Sequence, residues 1–212
     1  MLGFAAALLI LQTPSPDAWT ARLPPVDECG ADAEFARFRA ALLDVLARRD
    51  VEGLRTMVAE DVFFSFGGSE GREDFFRDWR LDAPESSALW HTLAETLMLG
   101  CAREDARMVA PYSFARWPEF DGVGVSFLAR PGAELRPRPS LDGEPLEILA
   151  WHVVEDASGP GNGGDGAWRR VRLADGRTGF VQERDLRSDI DYRAIFERRS
   201  GRWMLATFVA GD

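Results

Sequence analysis

The stretch from Trp168 to Val181 most constrains what this chain can fold into. Trp168-Arg169-Arg170-Val171-Arg172-Leu173 and Thr178-Gly179-Phe180-Val181 flank an Asp175-Gly176 pair. Asp and Gly tolerate the positive φ of tight turns, so the pattern predicts two short antiparallel strands. Val171 and Leu173 lie two apart and share one face of their strand. Trp168 lies three from Val171 and points the other way, with Arg170 and Arg172. A large aromatic facing away from a small core is a surface feature suited to recognition.

Composition supports a folded chain: 46% of the 212 residues are hydrophobic, enough for a core. The formal net charge of −10 disfavours nucleic acid and anionic membrane surfaces, both of which require a basic face. The chain is apolar from Leu2 to Leu11 and then reads Gln12-Thr13-Pro14-Ser15-Pro16. That run is too short to span a bilayer and suits the apolar part of a secretory signal, expected over residues 1–18. It lacks a preceding basic residue and a clear cleavage site, and no Cys follows to take a lipid. The expected location is periplasmic or secreted, in a bacterium. Two cysteines, Cys29 and Cys101, fit one disulfide in an exported chain, or two separate buried thiols.

Between these features the spacing predicts helices. Asp32 can cap one that carries Phe35, Phe38, Leu42, Val45 and Leu46 on a stripe. Asp50 can cap a second with Leu54, Met57 and Val58 inward. Val62–Phe66 reads as a strand closed by Gly67-Gly68. Ser69 or Glu70 opens a third helix with Phe75, Phe76 and Trp79. A fourth starts near Pro84 to Ser87, buries Leu89, Trp90, Leu93, Leu97 and Met98, and stops at Gly100. Arg107–Ala110 reads as a strand. Tyr192–Glu197 and Arg202–Val209 alternate around Ser200-Gly201, a hairpin that must pack on the helical part because a lone hairpin is marginal. Ser158–Gly166 is a glycine-rich surface loop.

The hairpin residues Trp168, Val171, Asp175-Gly176, Gly179, Phe180 and Val181 resemble the C-terminal half of bacterial SH3-like (SH3b) domains. Leu135-Arg136-Pro137-Arg138-Pro139-Ser140 resembles their N-terminal half. The family commonly has a Gly before its middle strand, where this chain has Ala150-Trp151-His152. The resemblance implies an α+β chain: a helix-rich region over residues 30–121, an SH3-like barrel over 122–187, and a C-terminal hairpin over 188–212 completing the helical region. The flanks are more weakly similar to NTF2-like α+β domains. The whole also looks like uncharacterised bacterial SH3-domain proteins that share Gly67-Gly68-x-x-Gly71-x-x-x-Phe75 and an Ala210-Gly211-Asp212 end. For the barrel, the resemblance implies a non-catalytic module that recognises a cell-wall peptide or an envelope protein. Trp168, Glu134 and Arg136 are its candidate ligand-binding residues.

Rival chemistry is sparse. His91 and His152 have no partner at ligand spacing, and no HExxH, paired CxxC or EF-hand loop occurs, so no metal and no cofactor are expected. Cys29-Gly30 before a helix could serve a cell-wall cysteine peptidase, a group in which some members carry SH3b domains. Its surrounding residues depart from that group's pattern. Gly67-Gly68-Ser69-Glu70-Gly71 lacks the Lys of a phosphate loop. Asp74, Asp78, Asp82 and Glu85 read as a solvated helix face, unless a pocket makes one of them a base in an NTF2-like binder or enzyme.

Overall fold

In a computed structural model of the chain, residues 22–68, 70–117, 124–158 and 166–211 are described. The expected signal segment, and residues 159–165 of the glycine-rich loop, lie outside them. The fold is mixed α+β, built on two five-stranded sheets and one two-stranded sheet.

The N-terminal half forms α1 (Ala33–Arg48), α2 (Val51–Arg55), β1 (Val58–Phe63), α3 (Gly71–Asp78), α4 (Leu89–Met98), β2 (Ala102–Glu104), β3 (Arg107–Ala110) and α5 (Tyr112–Ala115). Asp32 caps α1, accepting from Glu34 N at 3.0 Å and Phe35 N at 2.9 Å. Asp50 caps α2, accepting from Gly53 N at 2.8 Å. Each such cap satisfies N–H groups that a helix start leaves open, at about 1 kcal/mol. The second helix was expected to reach Val58. It stops at Arg55 because Val58 joins the first sheet, opposite Leu205. Long-range pairing of a β-branched residue overrides the helical spacing.

The C-terminal hairpin is β11 (Arg193–Arg199) and β12 (Arg202–Val209), turning at Ser200-Gly201. It does pack back on the helical part, at the centre of a sheet ordered β1-β12-β11-β3-β2. β1 and β12 run parallel, and the other pairs are antiparallel. The largest core lies against this sheet and includes Phe35, Leu42, Phe75, Leu89, Leu93, Phe196 and Phe208. Phe35 meets Phe196 and Trp203 edge-on, with centroids 5.3 and 5.2 Å apart. Burying one such side chain contributes about 1.5–3 kcal/mol.

Cys29 and Cys101 are joined by a disulfide, with Cα atoms 5.7 Å apart. It fastens the segment before α1 to the start of β2, where Cys101 N donates to Val26 O and Glu28 N donates to Cys101 O, both at 2.8 Å. Gly100 has φ 83, and a Cβ there would lie 2.3 Å from Val26 O. Only glycine allows the chain to leave α4 this close to that carbonyl.

The segment between β3 and β11 supplies the remaining strands: β4 (Val125–Leu128), β5 (Pro131–Leu135), β6 (Glu147–Ala150), β7 (Val153–Asp156), β8 (Trp168–Arg172), β9 (Thr178–Gln182) and β10 (Leu186–Ser188). They form a sheet ordered β10-β4-β7-β8-β9 and a separate β5-β6 pair, joined where Arg136 and Phe180 exchange backbone hydrogen bonds at 2.8 Å. The expected closed barrel is absent among the described residues. The physical reason is β4, which the spacing did not predict. It occupies the edge of β7 that faces away from β8, so β6 is left with β5 alone. Leu128, Ala133, Leu135, Leu149, Val154, Val171, Leu173 and Val181 form the small core between these strands.

The second five-stranded sheet meets α4 and the residues before β11 through polar contacts. Arg187 of β10 donates to the Tyr192 carbonyl and to Thr96 Oγ1 of α4 at 3.4 Å. Burial lowers its pKa, while the carboxylates of Asp191 and Glu95 act the other way. Arg130 pairs with Glu95 of α4 at 2.7 Å. Among the described residues, no helix is long and apolar enough to cross a membrane.

Candidate functional site

The Asp-Gly hairpin forms as the spacing predicts, with β8 paired to β9 across Asp175-Gly176. Directly opposed residues of antiparallel strands share a face. Arg170 opposes Phe180, Trp168 opposes Gln182, and Phe180 also opposes Arg136. Glu134, two residues before Arg136, opposes Ile148 of β6. The register therefore brings Trp168, Arg170, Phe180, Arg136, Glu134 and Ile148 onto one outer face. Val171, Val181, Leu135 and Leu149 alternate with them and fill the small core.

Gly179 makes this face possible. A Cβ at that position would lie 2.7 Å from Leu135 Cδ1 and 2.9 Å from Arg136 O. The absent side chain allows β9 to seat on the end of β5, which holds Phe180 beside Arg136.

Trp168 and Phe180 are half-buried. Arg136 differs from the expectation of an open cation. It is 6% exposed. Its Nε donates to Glu134 Oε2 at 2.7 Å and its second donor group to Gly143 O at 2.9 Å. The pair holds the loop after β5, with the Glu134 side chain 34% exposed beside the shielded guanidinium. Arg170 and Arg138, not among the candidate ligand-binding residues, are exposed and make no ion pair among the described residues. Leu146 and Ile148 are 55% and 56% exposed and extend the face with apolar area.

Beneath the hairpin, Arg169 binds Asp156 at 2.8 Å and Glu183 at 2.7 Å. Those carboxylates raise its pKa further above its ordinary value. Burial opposes ionisation of Asp156, but hydrogen bonds from Ser158 and Arg169 outweigh it and hold the carboxyl below its usual range. This knot ties β7, β8 and the turn after β9 together.

Trp151 stands where a glycine was expected from the resemblance, and its backbone has φ 63. A non-glycine residue pays about 1–2 kcal/mol for that conformation. The ring offsets this by packing against a cluster of Leu23, Val125, Phe127 and Val153. His152 Nδ1 accepts the Ala150 N–H at 3.1 Å and pins the same corner. Burial lowers the His152 pKa, aided by nearby Arg22.

The residues of the rival readings are dispersed. Cys29 is in the disulfide and carries no thiol. His91 pairs with Glu95 at 3.1 Å on α4. Asp74 is bound by Arg77 at 2.6 Å and Glu85 by Arg49 at 2.9 Å. Among the described residues, no group of three or more His, Cys, Asp or Glu could hold a metal ion. An open pocket of about 250 Å³ lies beside α1 and β12, lined by Glu34, Phe38, Thr56, Met57, Arg202 and Trp203 among others. Its carboxylate, Glu34, is already bound by Arg198 at 2.8 Å.

A scan against protein-family models found no match to this chain, and a search of curated proteins found none.

Proposed function

We propose that the chain is an exported, non-catalytic protein whose β4–β10 segment is an SH3-like module that recognises a cell-envelope component, a peptidoglycan peptide or a protein. The observation that carries this reading is the outer face of β8, β9 and β5. There Phe180 opposes Arg170 and lies diagonal to Trp168, and the exposed Arg170 makes no ion pair among the described residues. Half-buried aromatics next to a cation are the ingredients of a recognition surface. The seating of Gly179 under Leu135 and the Trp-x-x-Val hairpin support the SH3-like assignment. The disulfide supports an oxidising compartment.

The test is retention of the purified protein on peptidoglycan and on immobilised envelope proteins, with Trp168→Ala as the control. Binding that Trp168→Ala weakens at unchanged melting temperature supports the reading. Binding that is absent, or indifferent to Trp168, removes it. A cytosolic location of the full-length chain removes the envelope part.

A further inference from the structure

We infer that the cleft at the start of β12 binds a small organic anion, a carboxylate on a short apolar body, with Arg202 pairing the carboxylate. The inference is independent of what the outer face of β8, β9 and β5 takes.

The cleft follows from an overhang. β12 starts at Arg202, but β1 joins it only at Leu205, opposite Val58. Leu205 N donates to Met57 O at 2.9 Å, which closes the sheet at that point. Arg202, Trp203 and Met204 therefore have β11 on one side and no strand on the other among the described residues. Thr56 and Met57 approach from the end of α2, and Glu34 and Phe38 from one face of α1, a helical turn apart. The space between them is about 250 Å³ and open to solvent. That is below the usual range for drug-sized ligands, so the occupant is small.

The walls and the rim select its chemistry. Phe38, Met57, Trp203 and Met204 supply apolar surface, and Met57, Trp203 and Met204 are buried. The Arg198 guanidinium lies 4.8 Å from the Trp203 ring centroid and holds the ring as a fixed wall. Trp203 Nε1 is buried without a hydrogen-bond partner among the described residues, so this wall also carries an unanswered donor. Glu34, the carboxylate of the lining, is bound by Arg198 at 2.8 Å. Arg202, its cation, is exposed and makes no ion pair or side-chain hydrogen bond among the described residues. The negative charge of the cleft is thus compensated and the positive charge is not. A guanidinium presents a planar fork of N–H groups that one carboxylate accepts two at a time. The apolar walls shelter the rest of such a ligand from water. The formal net charge of −10 is spread over the chain and screened beyond about 10 Å in ordinary salt, so the local rim decides.

The experiment titrates hexanoate, hexan-1-ol and inorganic phosphate into the oxidised full chain by calorimetry. The Trp203 indole N–H resonance, assigned through Trp203→Phe, serves as a local reporter. The expected result is hexanoate binding with a Kd of about 1 mM and a shift of that resonance. Hexan-1-ol, which lacks the charge, and phosphate, which lacks the apolar body, should bind about tenfold more weakly. Arg202→Gln, at an exposed position outside the core, should weaken hexanoate about tenfold. Arg184→Gln, equally exposed but after β9, should leave it unchanged. No hexanoate binding up to about 20 mM, equal binding of the alcohol or of phosphate, an unmoved Trp203 resonance, or indifference to Arg202→Gln overturns the inference.

Discussion

Cys29 and Cys101 are bonded across a sequence separation of 72 residues, and both are fully shielded from solvent. Closing a loop of that length removes denatured-state entropy worth about 4 kcal/mol on a chain-entropy estimate. Reduction should lower the melting temperature by roughly 10 °C for a chain of this size. Cys29→Ser and Cys101→Ser should each cost about as much as the double variant, since either one removes the same bond. Thermal unfolding with and without reductant checks this. Two free thiols in the oxidised, unfolded protein would contradict it.

Gly179→Ala should destabilise the strands around the outer face. The added methyl meets Leu135 and the Arg136 carbonyl, and that carbonyl cannot move without losing its bond to Phe180 N. Overpacking of this kind costs about 1–3 kcal/mol. Urea unfolding measures it, and an unchanged midpoint would show that β9 does not seat so tightly on β5.

Asp185 and His152 should give stability opposite pH slopes. Burial raises the Asp185 pKa from its ordinary 3.8. The native state thus holds its proton to higher pH than the unfolded chain, and stability falls as pH rises through that window. Asp185→Asn should therefore stabilise the protein at neutral pH and remove that slope. Denaturant midpoints for both proteins at about pH 4 and about pH 7 test it; a variant less stable than the native chain at the higher pH refutes it.

For His152 the sign reverses. Burial depresses its pKa below 6.5, so the unfolded chain takes up the proton first as pH falls. Stability is lost on acidification through the ordinary imidazole range. His152→Asn keeps an acceptor for the Ala150 N–H and cannot titrate. It should flatten the profile between about pH 7 and pH 5. A profile identical to that of the native chain would locate the acid sensitivity elsewhere.

Both hairpins were legible in the sequence because a two-residue alternation and a turn pair sit within a few residues of each other. The caps Asp32 and Asp50 were legible for the same reason, being local. The parallel pairing of Val58 with Leu205 was not, since no local pattern states which distant strand will take an edge. β2 escaped notice because its three residues carry too little periodicity, and β4 followed an aromatic stretch that read as a linker. Trp168 was placed correctly on the side away from Val171, as the register shows. The burial of Arg136 was hidden: two opposite charges spaced by one residue look the same whether they face water or each other.

The pairing of Ala110 with Ala194 puts the last hairpin at the centre of the first sheet. In time rather than space, this means that β1 and β3 leave the ribosome long before the strands that lie between them exist. The β4–β10 segment can fold while its neighbours wait, but the first sheet closes only when β12 emerges. A stalled or C-terminally clipped chain would retain the outer face of Trp168 and Phe180 and expose the inner edges of β1 and β3. Such a chain would carry the proposed recognition surface intact on a body prone to aggregation or proteolysis.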